Sequence, residues 1–302
     1  MSRRWIRQQE RGSKSLTWLM IWFSLLVGRV PARALLYPIC LYFAVFSQRA
    51  RRASRQYLEL VLGRAVSFVE VCRHYHCFGA TILDRAFLLK GRHDIFDLDV
   101  HGGSVILERA KKGEGCILLG SHLGSFEVLR TLGVALKNLP ISILMYEEHA
   151  KKVSDIAARL NPALSKSIIH IGSPDSMLQV KERLDQGGLV GILGDRVAES
   201  DKIVRCRFLG KPADFPAGPM LLAASLEVPV VLCFGLYRGG NRYQIFTELL
   251  ADRVSISRTN RAEDLQRWTQ RYADRLEHYC RLAPYNWFNF YDYWASARQQ
   301  SV

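Results

Sequence analysis

His122 and Glu127 stand five residues apart in the stretch Cys116-Ile-Leu-Leu-Gly-Ser-His-Leu-Gly-Ser-Phe-Glu127. An imidazole titrates near neutrality and can take a proton from a hydroxyl, while a carboxylate on its other nitrogen fixes the tautomer and stabilises the imidazolium that forms. The pair therefore predicts a general-base dyad, with His122 as the base and Glu127 as its orienter. Ser121 and Ser125 flank the histidine, but the Gly-x-Ser-x-Gly turn that would present a serine nucleophile is missing. The hydroxyl to be activated would then belong to the substrate. The same spacing also suits an ordinary loop histidine beside a first-turn glutamate, so the surroundings must decide.

On one continuous helix the two side chains would point roughly 140° apart. They can meet only if His122 lies in a loop that turns back over a helix start. The flanks supply such an elbow: Cys116 to Leu119 reads as a buried strand, Gly120, Gly124 and Ser125 break it, and a helical pattern runs from Phe126 to Lys137. Ser125 is the expected N-cap, Glu127 would sit in the favourable first turn, and the helix amides near Ser125 could face a developing oxyanion. A second strand, Leu189 to Leu193, ends in Gly194-Asp195-Arg196. In an open α/β sheet that edge is where ligands sit. Arg196 suits a phosphate, carboxylate or oxyanion with Asp195 orienting it, although a solvated strand end with a local ion pair fits equally well. Phe215-Pro-Ala-Gly218-Pro219, ahead of a Met220 to Leu226 helix, reads either as a rigid wall for an apolar substrate or as a plain turn.

The 302 residues carry a formal net charge of +14, and the excess is uneven. Residues 1–64 hold twelve Lys and Arg against Glu10 and Glu59, a net of +10 that leaves +4 for the remainder. This basic stretch surrounds two apolar segments, Leu16 to Val27 and Leu35 to Phe46, each too short alone for the ~20 residues of a spanning helix. Arginines on both sides keep both ends cytoplasmic, which predicts an interfacial or re-entrant helical hairpin with Trp and Tyr at headgroup level; a single tilted span or two ordinary core helices are the alternatives. Anionic lipid headgroups suit such a pairing of charge and grease better than nucleic acid, for which no finger, aromatic RNA signature or basic heptad helix is present. Seven scattered cysteines, an odd number, argue for a reducing cytoplasm rather than a disulfide framework.

Residues 49–90 read as one helical stretch. Within it Cys72-Arg-His-Tyr-His-Cys77 gathers potential metal ligands, but a helix would not converge them and no second ligand pair follows, so helix packing is expected and no metal or cofactor is assigned. Asp99 to Lys112 reads as an amphipathic helix, Ile141 to Met145 and Ile168 to Ile171 as strands, and Ser173-Pro174-Asp175 as the start of a helix reaching Gln186. Arg205 to Phe208 and Lys211 to Phe215 form an expected hairpin, Pro229 to Gly235 a buried strand, Tyr243 to Leu249 an edge strand and Ala262 to Leu282 a long helix. The aromatic end, Pro284 to Trp294, would pack over the site or lie on a membrane. Alternating strands and helices predict an α/β fold, a mixed, mainly parallel central sheet flanked by helices. Two parts are expected: membrane-associating helices over 1–64 and the α/β domain over 65–302.

Gly120-Ser-His122-Leu-Gly-Ser-Phe-Glu127, Gly194-Asp195-Arg196, Phe208-Leu-Gly-Lys-Pro212 through Phe215-Pro-Ala-Gly218, Pro229-Val-Val and Pro284 to Trp287 come in the order found in the bacterial lipid A late acyltransferases, within the wider lysophospholipid acyltransferase superfamily. The chain resembles that family over nearly its whole length. The resemblance implies an enzyme at the cytoplasmic face of the bacterial inner membrane that moves a fatty acyl group from acyl carrier protein, or less often coenzyme A, to a hydroxyl of a lipid or glycolipid. It implies His122 and Glu127 as catalytic residues, with Ser125, Asp195, Arg196, Phe215 and Gly218 around the substrate. At the end Trp287-Phe-Asn-Phe-Tyr replaces a Trp followed by basic residues, which is similar to relatives that accompany glycosyltransferase-like and aryl-polyene lipid pathways. Two other outcomes fit the same residues: a thioester hydrolase with water as acceptor, and a membrane scaffold whose dyad is idle.

Overall fold

The computed structural model describes residues 14–129, 141–146, 160–161, 167–171, 175–198 and 201–295. Its centre is a seven-stranded sheet made of β1 (Asp97–His101), β2 (Cys116–Gly120), β3 (Ile141–Tyr146), β4 (Ile168–Ile171), β5 (Leu189–Leu193), β8 (Val230–Gly239) and β9 (Arg242–Ala251), in the order β1-β9-β8-β2-β5-β3-β4. Every neighbouring pair is parallel except the β8–β9 hairpin. This is the mixed, mainly parallel α/β sheet expected. β2 is buried along its whole length, as a central parallel strand covered on both faces must be. A separate hairpin, β6 (Ile203–Phe208) and β7 (Lys211–Pro216), turns at Leu209 and Gly210, both with positive φ.

Helices α1 (Lys14–Val27), α2 (Arg29–Ala34), α3 (Leu36–Phe46), α4 (Gln48–Leu62), α5 (Phe68–Leu89), α6 (Ser104–Lys111), α7 (Ser176–Asp185), α8 (Gly218–Leu226) and α9 (Arg261–Leu282) surround the sheet. The expected 49–90 helix is two helices. Gly63, with φ +67°, ends α4 in the left-handed conformation, and Ser67 starts α5 with a capping box: its hydroxyl accepts the Glu70 N–H at 3.3 Å while its own N–H donates to Glu70 Oε2 at 2.9 Å. A second correction concerns residues 97–101. Asp-Leu-Asp-Val-His alternates with period two and forms β1, which pairs outside β9, so β9 is not the edge strand. The helix begins only after Gly102, whose φ of +77° and close approach to the Thr247 carbonyl leave no room for a side chain.

α1 ends at Gly28, and α2 and α3 run on through Leu35, giving Arg29–Phe46 as one stretch of 18 residues long and apolar enough to cross a membrane, 22% of it buried in the protein. Arg29 and Arg33 do not face outward as flanking charges. Arg29 donates to buried Asp84 at 2.7 and 2.9 Å, Arg33 lies 3.6 Å from the same carboxylate and donates to the Gly240 carbonyl at 2.8 Å, and the Tyr243 hydroxyl adds a bond to Asp84 at 2.8 Å. An ion cluster thus pins α2 to the β8–β9 tip. Farther along, Ala44, Tyr57, Tyr75 and Trp287 lie in the same buried core as the strands, so helices on both sides of residue 64 share one interior.

Candidate active site

β2 and β5 are parallel neighbours in register, with Gly120 opposite Leu193. The chain continues two residues beyond each to His122 and Asp195, which therefore emerge side by side at the C-terminal edge of the sheet. The His122 loop is pressed against β8: Gly124 has φ +73°, a Cβ there would lie 2.0 Å from the Gly235 carbonyl oxygen, and the Ser125 N–H donates to that oxygen at 2.8 Å. Only glycine fits that position. A helix starts at residue 126 and is described to 129; the rest of the expected Phe126 to Lys137 helix lies outside the described residues. The Phe126 ring fills the slot left by Gly191 of β5.

The carboxylate on the imidazole is Asp195. His122 Nδ1 donates to Asp195 Oδ1 at 2.8 Å, and the His122 backbone N–H lies 3.1 Å from each oxygen. Glu127, the expected orienter, forms an ion pair with Arg85 of α5. The strand-end carboxylate two residues past β5 meets the loop two residues past β2. The histidine side chain is 28% exposed and Asp195 is wholly buried. With Nδ1 protonated toward a carboxylate, Nε2 is the nitrogen that carries the lone pair of the neutral ring.

Asp195 takes further donors from the C-terminal segment. Trp287 Nε1 reaches Oδ2 at 2.9 Å and Asn289 Nδ2 reaches it at 3.0 Å. Burial alone would raise this carboxyl, but the His122 charge and hydrogen bond, the nearby Arg196 and the Asn289 amide hold it at about 2. The segment is also tied to the loop through its backbone, Phe288 N–H to His122 O and Gly124 N–H to Asn286 O, each at 2.8 Å. Of the two expected places for the aromatic end, packing over the site is the one observed. The sequence reading gave Trp287 and Asn289 no role; the signal available was a buried-type aromatic run with an amide embedded in it.

The remaining expected site residues divide. Arg196 donates through Nε to Asn289 Oδ1 at 2.7 Å and through Nη2 to the Phe288 carbonyl at 2.9 Å, so it braces the C-terminal segment. The Ser125 hydroxyl is buried without a hydrogen-bond partner and does not cap the helix as expected. Phe215 has no exposed surface, and its ring is enclosed by Phe208, Tyr272 and Tyr293. Gly218 lies at the exposed start of α8. In the Cys-His stretch, buried His74 accepts from Ser54 at Nδ1 (2.8 Å) and donates from Nε2 to the Trp287 carbonyl (2.9 Å), while His76 stacks on Tyr37. Among the described residues no group of three or more His, Cys, Asp and Glu converges as metal ligands would. All seven cysteines are free, and burial pushes each thiol up, Cys116 to about 12.

The α/β sheet presents a carboxylate-held histidine at its C-terminal edge, beside buried serine hydroxyls and thiols pushed up by burial. Residues 8–296 match the family described as bacterial lipid A biosynthesis acyltransferase. The chain belongs to that family and is an acyltransferase of lipid biosynthesis. No curated protein matches it significantly.

Proposed function

We propose that the protein transfers a fatty acyl group from an acyl carrier protein thioester, or from acyl coenzyme A, to a hydroxyl of a lipid or glycolipid at the cytoplasmic face of the bacterial inner membrane. The observation that carries this reading is the partly exposed His122 imidazole hydrogen-bonded at 2.8 Å to buried Asp195. His122 Nε2 takes the acceptor hydroxyl's proton as its oxygen attacks the thioester carbonyl; the tetrahedral intermediate collapses, the C–S bond breaks, and the imidazolium returns its proton to the thiolate. No acyl-enzyme forms, in keeping with the unpartnered Ser121 and Ser125 hydroxyls and the raised thiols. Asp195 keeps the tautomer. Glu127, ion-paired with Arg85, is the second acidic group of the dyad motif, and amides at the helix start by Ser125 face the oxyanion. Gly218, with open space around it, is kept as a substrate-side residue of this reading.

Residues 1–64 serve as the membrane-associating part. Trp22, Leu26, Val30, Tyr37, Leu41, Tyr42 and Phe46, all within 25 residues of one another, are exposed, and clustered exposed apolar side chains suit a membrane or partner surface. Arg49, Arg52 and Arg55 stand exposed on α4 beside them, a cationic face for anionic lipid and for an acidic carrier protein.

The test is lipid mass spectrometry of cells with and without the protein, together with purified enzyme given saturated acyl carrier protein thioesters and a bacterial lipid extract. An acylated lipid should appear, and His122→Ala should abolish it while keeping the fold. Fatty acid released without an acylated lipid would indicate a hydrolase, and a fully active His122→Ala would remove the assignment.

A further inference from the structure

Two of the side-chain donors on Asp195 arrive from more than ninety residues away in sequence. Their arrangement is selective. Among side-chain donors Oδ1 takes His122 Nδ1, while Trp287 Nε1 and Asn289 Nδ2 both go to Oδ2, and the His122 backbone N–H lies 3.1 Å from each oxygen. Asn289 is fixed end for end, since its oxygen accepts from Arg196 Nε at 2.7 Å and only its nitrogen can therefore face the carboxylate. The Trp287 ring is clamped between Tyr57 and Phe208, at centroid distances of 4.9 and 5.2 Å, and its carbonyl accepts from His74. Packing alone does not require an indole N–H at that point, and a phenyl ring would satisfy the same neighbours.

We propose that Trp287 and Asn289 are positioning residues for acyl transfer, locking the Asp195 carboxylate in the rotation that offers Oδ1 to His122. The inference rests on His122 acting as the base. A carboxylate without these donors can turn and is a stronger acceptor toward the imidazolium. His122 then holds its proton more firmly and is misaligned as a base. In this arrangement the C-terminal segment is part of the catalytic apparatus, although neither residue touches the reacting atoms.

The experiment compares wild type with Trp287→Phe, Asn289→Leu and His122→Ala, using saturated acyl carrier protein thioesters with a bacterial lipid extract and recording kcat, KM and pH profiles alongside thermal unfolding. Trp287→Phe keeps most of the ring and Asn289→Leu keeps the shape of the amide. Each is expected to lose roughly ten- to a hundredfold in kcat, the worth of one hydrogen bond to a charged group, with KM for the thioester unchanged. The acid limb of kcat/KM should move to higher pH. A kcat and acid limb equal to wild type would overturn the proposal. So would a loss of activity with the limb unmoved, which would give the two residues a packing role only. If His122→Ala is itself fully active, it is the general-base reading that fails, and the two failures are distinguishable.

Discussion

Acid should loosen the contact between α5 and the C-terminal segment, because His74 is buried and neutral. Its side chain lies among Ser54, Tyr57, Phe288, Phe290 and the Trp287 carbonyl, with no exposed surface. Burial drives its pKa down to about 4 despite the Trp287 carbonyl, which pulls the other way. The unfolded chain takes up this proton near 6.5 and the folded chain only near 4, so the unfolded state binds more protons between those values. The stability contributed by His74 is fully present above pH 6.5 and is lost as the pH falls toward 4. A shift of about 2.5 units at ~1.36 kcal/mol each amounts to about 3 kcal/mol. Urea unfolding in detergent micelles, followed by tryptophan fluorescence, measures it. His76 and His93 are lowered by burial in the same direction, so the decisive quantity is the slope difference between wild type and His74→Gln. Asp195 does not interfere, since its stabilisation disappears only below its ordinary 3.8, toward 2. Equal slopes for wild type and His74→Gln across pH 6.5 to 4.5 would refute the assignment of a neutral, buried His74.

Asp195→Asn should lower kcat by ~10³ to 10⁴, because the amide no longer selects the Nδ1–H tautomer, while Glu127→Gln, whose partner is Arg85, should cost only about ten- to a hundredfold; steady-state kinetics showing the reverse order would return the orienting role to Glu127. Gly124→Ala should remove activity and lower the thermal midpoint, since the new Cβ would meet the Gly235 carbonyl at 2.0 Å with φ at +73°; wild-type kinetics would show that the loop does not need its contact with β8. Asp84→Ala should cost roughly 3–5 kcal/mol in denaturant unfolding, because Arg29 and Arg33 would keep their burial and lose their shared counter-charge; a change under 1 kcal/mol would mean the cluster is solvated.

Local patterns were readable from the residues wherever one element determines its own form. The apolar runs at 116–120 and 189–193, the hairpin turning at Leu209-Gly210 and the long α9 helix appear where period and punctuation put them. β1 was missed because Asp97-Leu-Asp-Val-His runs directly into a helical stretch, and the two periodicities overlap until Gly102 separates them. That Arg29 and Arg33 are neutralised could not be read locally, because their carboxylate, Asp84, stands more than fifty residues away on another helix. Partner choice at the site follows the same logic. His122 offers Nδ1 to whichever carboxylate reaches it, and a search along the chain finds Glu127 first, five residues on. What selects Asp195 is the Gly120–Leu193 register of two parallel strands, which gives equal two-residue extensions a common end point. The spacing of residues within one loop singles out the histidine, but strand pairing decides which carboxylate meets its Nδ1. For that reason a shift in β2–β5 register should disable the site even with every motif residue in place.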